Sequence, residues 1–442
     1  MPSGNDGRQF SKRWTMRRAQ AWLRLVGPRS PVFRRRVAIT GGAITIGLIA
    51  IVFAAAADRA SAAFQLMIAT YPLAPLALTP AGFAAIVAIT NRYVPAARGS
   101  GIPQVIAARS HPETALDGLL SIPVAIGKAV LTLASLLVGA STGREGPTVQ
   151  LSASVMALWH RFLQVPMRAS MIIAGGSAGV AAAFNTPLAG IAFAIEELAA
   201  AYEQRMALLV MTAILISGAV ASGLAGDYIY FGAIGASMPI GGVLVVAPVA
   251  GLVGGVAGGL FSRLVLAAAS PEFAPMRRAK RHPIAFAAGC GLVVAILGCV
   301  THITWGTGYD AAHAVIVGVH APLWFGIAKF VTTLTSAVAG LPGGIFSPSL
   351  ATGAGVGNLL RWAFPDEPGT AVVLLGMVAY FTGVVRAPLT AVFILTETTA
   401  SRGLLLPMFA AALVANQTSQ WVCREKLYHG LSKTFGGASE AP

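Results

Sequence analysis

Gly143-Arg144-Glu145-Gly146-Pro147, running straight into the apolar stretch from Thr148, decides how this chain is read. A carboxylate and a guanidinium stand in the middle of a hydrophobic polypeptide. Charge at bilayer depth is costly, so such residues face a cavity and work there. The glycines let the backbone open before a helix, and Pro147 suits a first helical position, where a missing N–H is harmless. The apolar stretch therefore opens with a helix N-terminus, whose free amides and partial positive charge make an anion site. Glu145 stands where an anion would sit. The expectation is a tethered anion competing with a diffusible one.

Composition sets the surroundings of that motif. The 442 residues are 56% hydrophobic and 11% charged, with 50 glycines and a mean hydropathy of +0.73. Charged residues are at about half their usual share. This excludes a soluble domain and predicts an all-α polytopic membrane protein. Abundant Gly and Pro fit spans that are broken or closely packed. The net charge of +15 is concentrated: the first 36 residues carry ten Lys/Arg against Asp6 alone. With a span beginning right after it, this cluster reads as a cytoplasmic anchor under the positive-inside rule, not as a nucleic-acid site. Arg277-Arg278-Ala279-Lys280-Arg281 and then Arg424, Lys426 and Lys433 are further cytoplasmic markers, so both termini are expected inside. Cys290, Cys299 and Cys423 have no metal or disulfide spacing. The seven histidines are scattered; His313 and His320, seven apart, could share a helix face but read as surface or packing residues rather than a metal site, and no cofactor or metal is expected.

A first span is predicted over 37–57, and a second apolar stretch over 64–91 is interrupted by Pro72, Pro75 and Pro80. Further apolar segments run over 119–140, 148–163, 171–195, 206–225, 240–269, 284–303, 310–340, 344–362, 370–395 and 404–422. Several are shorter than the ~20 residues a span needs and others longer than one span, which predicts tilted and discontinuous helices.

A constant offset of 201 residues relates two halves of the chain. Lys128 falls on Lys329, Gly143 on Gly344, Pro147 on Pro348, Gly175 on Gly376, Pro187-Leu188 on Pro388-Leu389 and Glu196 on Glu397. The organisation expected is a basic segment 1–36, a first repeat 37–225, a linker 226–239, a second repeat 240–430 and a tail 431–442. Transporters built so place the substrate site between the halves, at broken helices. An odd number of crossings per half would invert the repeats; the sequence leaves that parity open. Glu145 falls on Phe346 in Gly343-Gly344-Ile345-Phe346-Ser347-Pro348. Two helix N-termini are therefore offered to one place, and one carries its own anion.

Other constellations keep two readings each. Ser100, in Gly99-Ser100-Gly101-Ile102-Pro103, could donate to an anion or cap a helix. Glu196-Glu197 close an apolar run, so one must point inward or reach an interface. Lys128 and Lys329 could bias a cavity toward anions or snorkel outward. Tyr428 could anchor an interface or aim its O–H at an anion.

The ordered set Gly99-Ser-Gly-Ile-Pro103, Gly143-Arg-Glu-Gly-Pro147 and Gly344-Ile-Phe-Ser-Pro348, with Asn185-Thr-Pro-Leu-Ala-Gly190, Glu196-Glu197 and Tyr428, resembles the signature loops of the ClC chloride channels and transporters. The resemblance covers the chain from about residue 37 onward and implies a fold of two inverted-topology repeats of tilted, partly discontinuous helices. It implies a homodimer in a bilayer, with one ion pathway per subunit, and a bacterial inner membrane. It also implies hydroxyl donors to chloride at Ser100 and Tyr428, with the amides of Ile345 and Phe346 completing that site. Glu145 resembles the gating glutamate, with the amides around Arg144, Glu145 and Gly146 holding chloride when it leaves. Glu197 resembles the inner proton acceptor of the proton-coupled exchangers. Gln104 and Ile106 stand where family members often carry acids. The function expected is chloride/proton antiport; the alternatives are a passive channel gated by Glu145 and, well behind, an intramembrane enzyme, for which no nucleophile–base pair or cofactor loop is visible.

Overall fold

The protein is described by a computed structural model covering residues 30–198, 204–226, 229–270, 277, 279, 281–319 and 321–436. Most of the basic N-terminal segment, part of the linker, part of the Arg277–Arg281 knot and the end of the tail lie outside the described residues. The described residues are almost wholly helical. The first half comprises α1 (Pro31–Thr70), α2 (Pro75–Tyr93), α3 (Ile102–Ala108), α4 (Ile122–Leu137), α5 (Glu145–Phe162), α6 (Ala169–Phe184), α7 (Pro187–Phe193) and α8 (Gln204–Ala225). The second comprises α9 (Ile240–Ala269), α10 (Pro283–Thr301), α11 (Tyr309–Ile316), α12 (Phe325–Val338), α13 (Phe346–Ala363), α14 (Gly369–Val385), α15 (Pro388–Thr399), α16 (Leu405–Val422) and α17 (Leu427–Gly436).

The expected spans are redrawn where the backbone needs a break. The first helix runs past residue 57 to Thr70 and includes Asp58. The apolar run 171–195 is two helices, because Asn185 turns left-handed at φ +58° and Pro187 starts the next helix. Arg386, at φ +59°, does the same before Pro388. Among the described residues, four helices are long and apolar enough to cross a membrane: Pro31–Thr70, Ala207–Leu224, Ile240–Ala269 and Pro283–Thr301. Ile122–Leu137, Ala169–Phe184, Phe325–Val338 and Gly369–Val385 are apolar but shorter, as the uneven segments predicted.

The offset of 201 is structural. Helices α5 and α13, α7 and α15, and α8 and α16 begin at matching positions, and the left-handed residues Asn185 and Arg386 coincide. The halves touch at equivalent residues: the Gly143 N–H donates to Gly344 O and the Gly344 N–H to Gly143 O, each at 2.7 Å. Such a reciprocal pair places a local two-fold axis between them. Two crossed caps orient that axis. Glu196, beyond the C-terminal end of α7, accepts from the Leu389 and Thr390 amides at 2.9 and 2.8 Å and from Thr390 Oγ1 at 2.8 Å, at the start of α15. Glu397, near the end of α15, accepts from the Leu188 and Ala189 amides at 3.2 and 2.9 Å, at the start of α7. Each helix end meets the other's beginning, so α7 and α15 run antiparallel. A two-fold axis relating antiparallel membrane helices lies in the membrane plane, and the repeats are inverted. Glu196 thus neutralises orphan amides and a helix dipole. Glu196→Ala strands these donors and is expected to cost about 2 kcal/mol, read as a lower unfolding midpoint in detergent.

The two lysines do not snorkel outward. Both are fully buried. Lys128 Nζ donates to Gly99 O at 2.7 Å, and Lys329 Nζ to Thr304 O and Gly306 O at 2.9 and 2.8 Å. They satisfy the carbonyls of irregular loops, which hydrocarbon cannot.

Candidate functional site

Three glycine breaks meet at the two-fold axis. The first opens α3: Gly99 and Gly101 hold φ +69° and +109°, and a Cβ on Gly101 would lie 2.7 Å from Gly146 O. The carbonyl of Gly99 accepts from both Lys128 Nζ and, at 3.1 Å, the Gly343 N–H, tying the first break to the third. Ser100 does not cap a helix. Its Oγ is buried without a hydrogen-bond partner among the described residues and packs onto Gly146, where a Cβ would collide with it and crowd Gly344 Cα at 3.2 Å. On the resemblance's expectation of chloride at Ser100, Gly146→Ala should push that hydroxyl away and weaken the binding at least about tenfold, a loss of ~1.4 kcal/mol, measurable by calorimetry.

Glu145 is the first residue of α5, so the helix opens two residues before the Pro147 start the sequence suggested, and it is 1% exposed. Its Oε1 accepts from Ser347 Oγ at 2.6 Å, and Ser347 lies in the first turn of α13. Its Oε2 folds back against Gly143 and has no hydrogen-bond partner among the described residues. The carboxylate that begins one helix thus lies over the start of its counterpart, where both partial positive charges favour it. The amides of Ile345 and Phe346, at the start of α13, have no intrahelical acceptor by position. The Phe346 ring is wedged among Phe184, Phe193, Phe381 and Tyr428, with ring centres 5.0–6.2 Å away. That packing fixes the backbone that presents the amides.

Tyr428 enters from α17. It is fully buried, so the interface-anchor reading is corrected. Its hydroxyl is a near neighbour of Ser100, yet no bond of good geometry joins them, and both remain without a partner among the described residues. Ser100, Ile345 and Tyr428 line one cavity of 470 Å³. Arg144, Asp58 and Tyr230 line another of 740 Å³. Glu145 belongs to neither lining; it follows Arg144 in the chain and precedes the Gly146 that meets Ser100. Two hydroxyl donors and exposed helix starts, with no carboxylate on the lining of the smaller cavity, suit a small anion.

The Arg144 side chain points away from the helix starts. It donates to Ala54 O at 2.6 Å and to Asp58 Oδ1 at 2.7 Å on α1, which leaves only its backbone to the site. Asp58 was not foreseen, nor was Tyr230. This linker residue faces Ser347, Glu145 and Arg144 and accepts at its carbonyl from Tyr309 O–H at 2.7 Å. No motif marked it.

Glu197 sits in the π-helical turn Ala194–Leu198 that extends α7, and it is 0% exposed. Tyr428 stands within electrostatic reach of both Glu145 and Glu197. Ile106 is buried and apolar. The polar neighbours of Glu197 come from the other side: His429 Nδ1 lies 3.3 Å from Oε1, and Lys426 Nζ 3.8 Å from Oε2. No motif marked His429 for this place. Among the described residues no cluster of three or more His, Cys, Asp or Glu could hold a metal ion.

Residues 81–420 match the family model described as voltage gated chloride channel. The chain is 31% identical over 380 residues to the H(+)/Cl(-) exchange transporter ClcA of Citrobacter koseri, covering 80% of this chain and 77% of that protein. It is 30% identical over 445 residues to ClcA of Salmonella arizonae, covering 93% and 91%. Its fold matches that of a slow cyanobacterial Cl−/H+ antiporter with a TM-score of 0.79 at 23% identity, over 92% of this chain and 99% of that one. A CLC-type fluoride/proton antiporter matches with a TM-score of 0.75 at 20% identity, over 91% and 98%. The signature loops, the inverted halves and these likenesses agree, and the chain belongs to the ClC family of chloride channels and transporters.

Proposed function

We infer that this membrane protein exchanges chloride for protons moving in the opposite direction. The observation that carries the reading is one buried carboxylate, Glu145, seated over two helix starts, with a second, Glu197, buried beyond Tyr428. The relatives named as H(+)/Cl(-) exchange transporters support it. Ionised, Glu145 holds the amides that chloride needs. Protonated, it loses its charge and its grip on the helix dipoles, and chloride can displace it. Ser100, Tyr428 and the amides of Ile345 and Phe346 form the central chloride site, and the amides around Arg144 and Gly146 form the outer one once Glu145 swings out. Glu197 exchanges protons with Glu145 along a route that leaves the chloride path on the inner side. One carboxylate would make only a gate; two on opposite flanks link the proton to the anion. Chloride and protons are the cargo. A homodimer in a bacterial inner membrane, with both termini cytoplasmic, is the assembly we propose, without nucleic acid or catalysis.

Reconstitution in liposomes tests the reading. An outward or inward chloride gradient should drive protons uphill, whereas chloride flux without proton movement would leave a channel gated by Glu145. Chloride should also stabilise the folded protein by mass action, about 2.7 kcal/mol at a hundred times its Kd. A rise of the unfolding midpoint with chloride, absent with a non-transported anion, checks this.

A further inference from the structure

We propose that His429 carries protons between the aqueous inner face and Glu197. The proposal rests on the exchange reading above. Glu197 is 0% exposed and its two oxygens have no well-aligned hydrogen bond among the described residues, so it needs an intermediary to reach water. The His429 side chain keeps 35% of its surface exposed, while its Nδ1 is buried and points at Glu197 Oε1. One ring therefore spans from the buried carboxylate to solvent. A small rotation of the imidazole completes the hydrogen bond, which resting structures often leave long.

The other groups facing this point cannot do the same work. Lys426 is the second cation near Glu197, and its ammonium also donates to Glu196 O at 3.2 Å; an ordinary lysine stays charged at neutral pH. Arg109, at the end of α3, donates to Leu198 O. Arg386, at the end of α14, donates to Cys423 O and Arg424 O at 3.1 and 2.8 Å. Both guanidiniums lie within electrostatic range of Glu197 but do not release protons. Glu196 caps α15, and Glu425 pairs with Lys433. Ile106 offers nothing. Among these groups, imidazole is the one whose two ring nitrogens can take a proton on one side and pass one on from the other.

The test measures chloride-driven proton uptake in liposomes for the wild type, His429→Gln and His429→Glu, with chloride affinity by calorimetry and the dependence of exchange on inner pH. Gln keeps the size and hydrogen bonding of the ring without a transferable proton. The expected result is a proton turnover at least about tenfold lower in His429→Gln, with a flattened response to inner pH, substantial recovery in His429→Glu and unchanged chloride affinity in both. Wild-type proton turnover in His429→Gln overturns the proposal. So does an equal loss in both variants, since His429 would then only support the local packing. A wild type that moves chloride but no protons removes the exchange reading itself, and this proposal with it.

Discussion

Glu145→Ala is expected to pass chloride without moving protons. The carboxylate is the only acid at the meeting of α5 and α13 among the described residues, and Ser347 Oγ holds it there at 2.6 Å. On the proposed reading, removing it takes away the gate and the outer proton carrier in one step. The amides at both helix starts then face the anion path with nothing tethered to them, and chloride can take the place of the side chain. Proton coupling should fall ~100-fold or more, the scale set by removing a positioned acid–base group. Chloride efflux should continue and lose its dependence on outer pH. Glu145→Gln, which can still accept from Ser347, should behave as a permanently protonated gate. Parallel recordings of chloride efflux and of proton uptake check both variants. Wild-type coupling in Glu145→Ala would show that the proton takes another path.

Glu197→Gln should break the link from the inner side. The variant keeps the shape of the side chain in the π-helical turn but cannot ionise. Chloride flux is expected to persist, because Glu145, Ser100 and Tyr428 are untouched, while chloride-driven proton uptake falls below detection. The two variants fail differently: Glu145→Ala loses gating as well as coupling, whereas Glu197→Gln keeps the outer gate and its response to outer pH. The same liposome assay, run at several outer pH values, separates them. Loss of chloride flux together with proton flux in Glu197→Gln would mean that Glu197 lines the anion path itself.

Much of this molecule is legible in one dimension. The offset of 201 survives because helices that pack alike need small residues and prolines at the same places, so α5 and α13 start at matching positions. Glu145 could be placed from local rules, because open glycine backbone followed by Pro147 makes a helix start wherever it occurs. Ser100 and Tyr428 were candidates whose alternatives the fold removed, by burying both hydroxyls without the partners a cap or an interface anchor would have.

Other features have no local signal. Arg144 reaches Asp58, 86 residues away, and Glu196 reaches the start of α15, 193 and 194 residues away. Lys128 looks like an intruder in an apolar run until the Gly99 carbonyl is placed beside it. Tyr230 lies in a linker, where composition says little.

Residue order is enough to establish that the chain spans a membrane, that it is made of two related halves, and that a carboxylate waits at a helix start. Each depends only on neighbours along the chain or on a fixed offset, which periodicity and motif can register. It took the packed helices to establish that the halves are antiparallel, that Glu196 and Glu397 cap each other's helices, and that His429 meets Glu197. Those contacts arise from how rigid helices are turned against one another, and the orientation of distant segments leaves no mark on the residues between them.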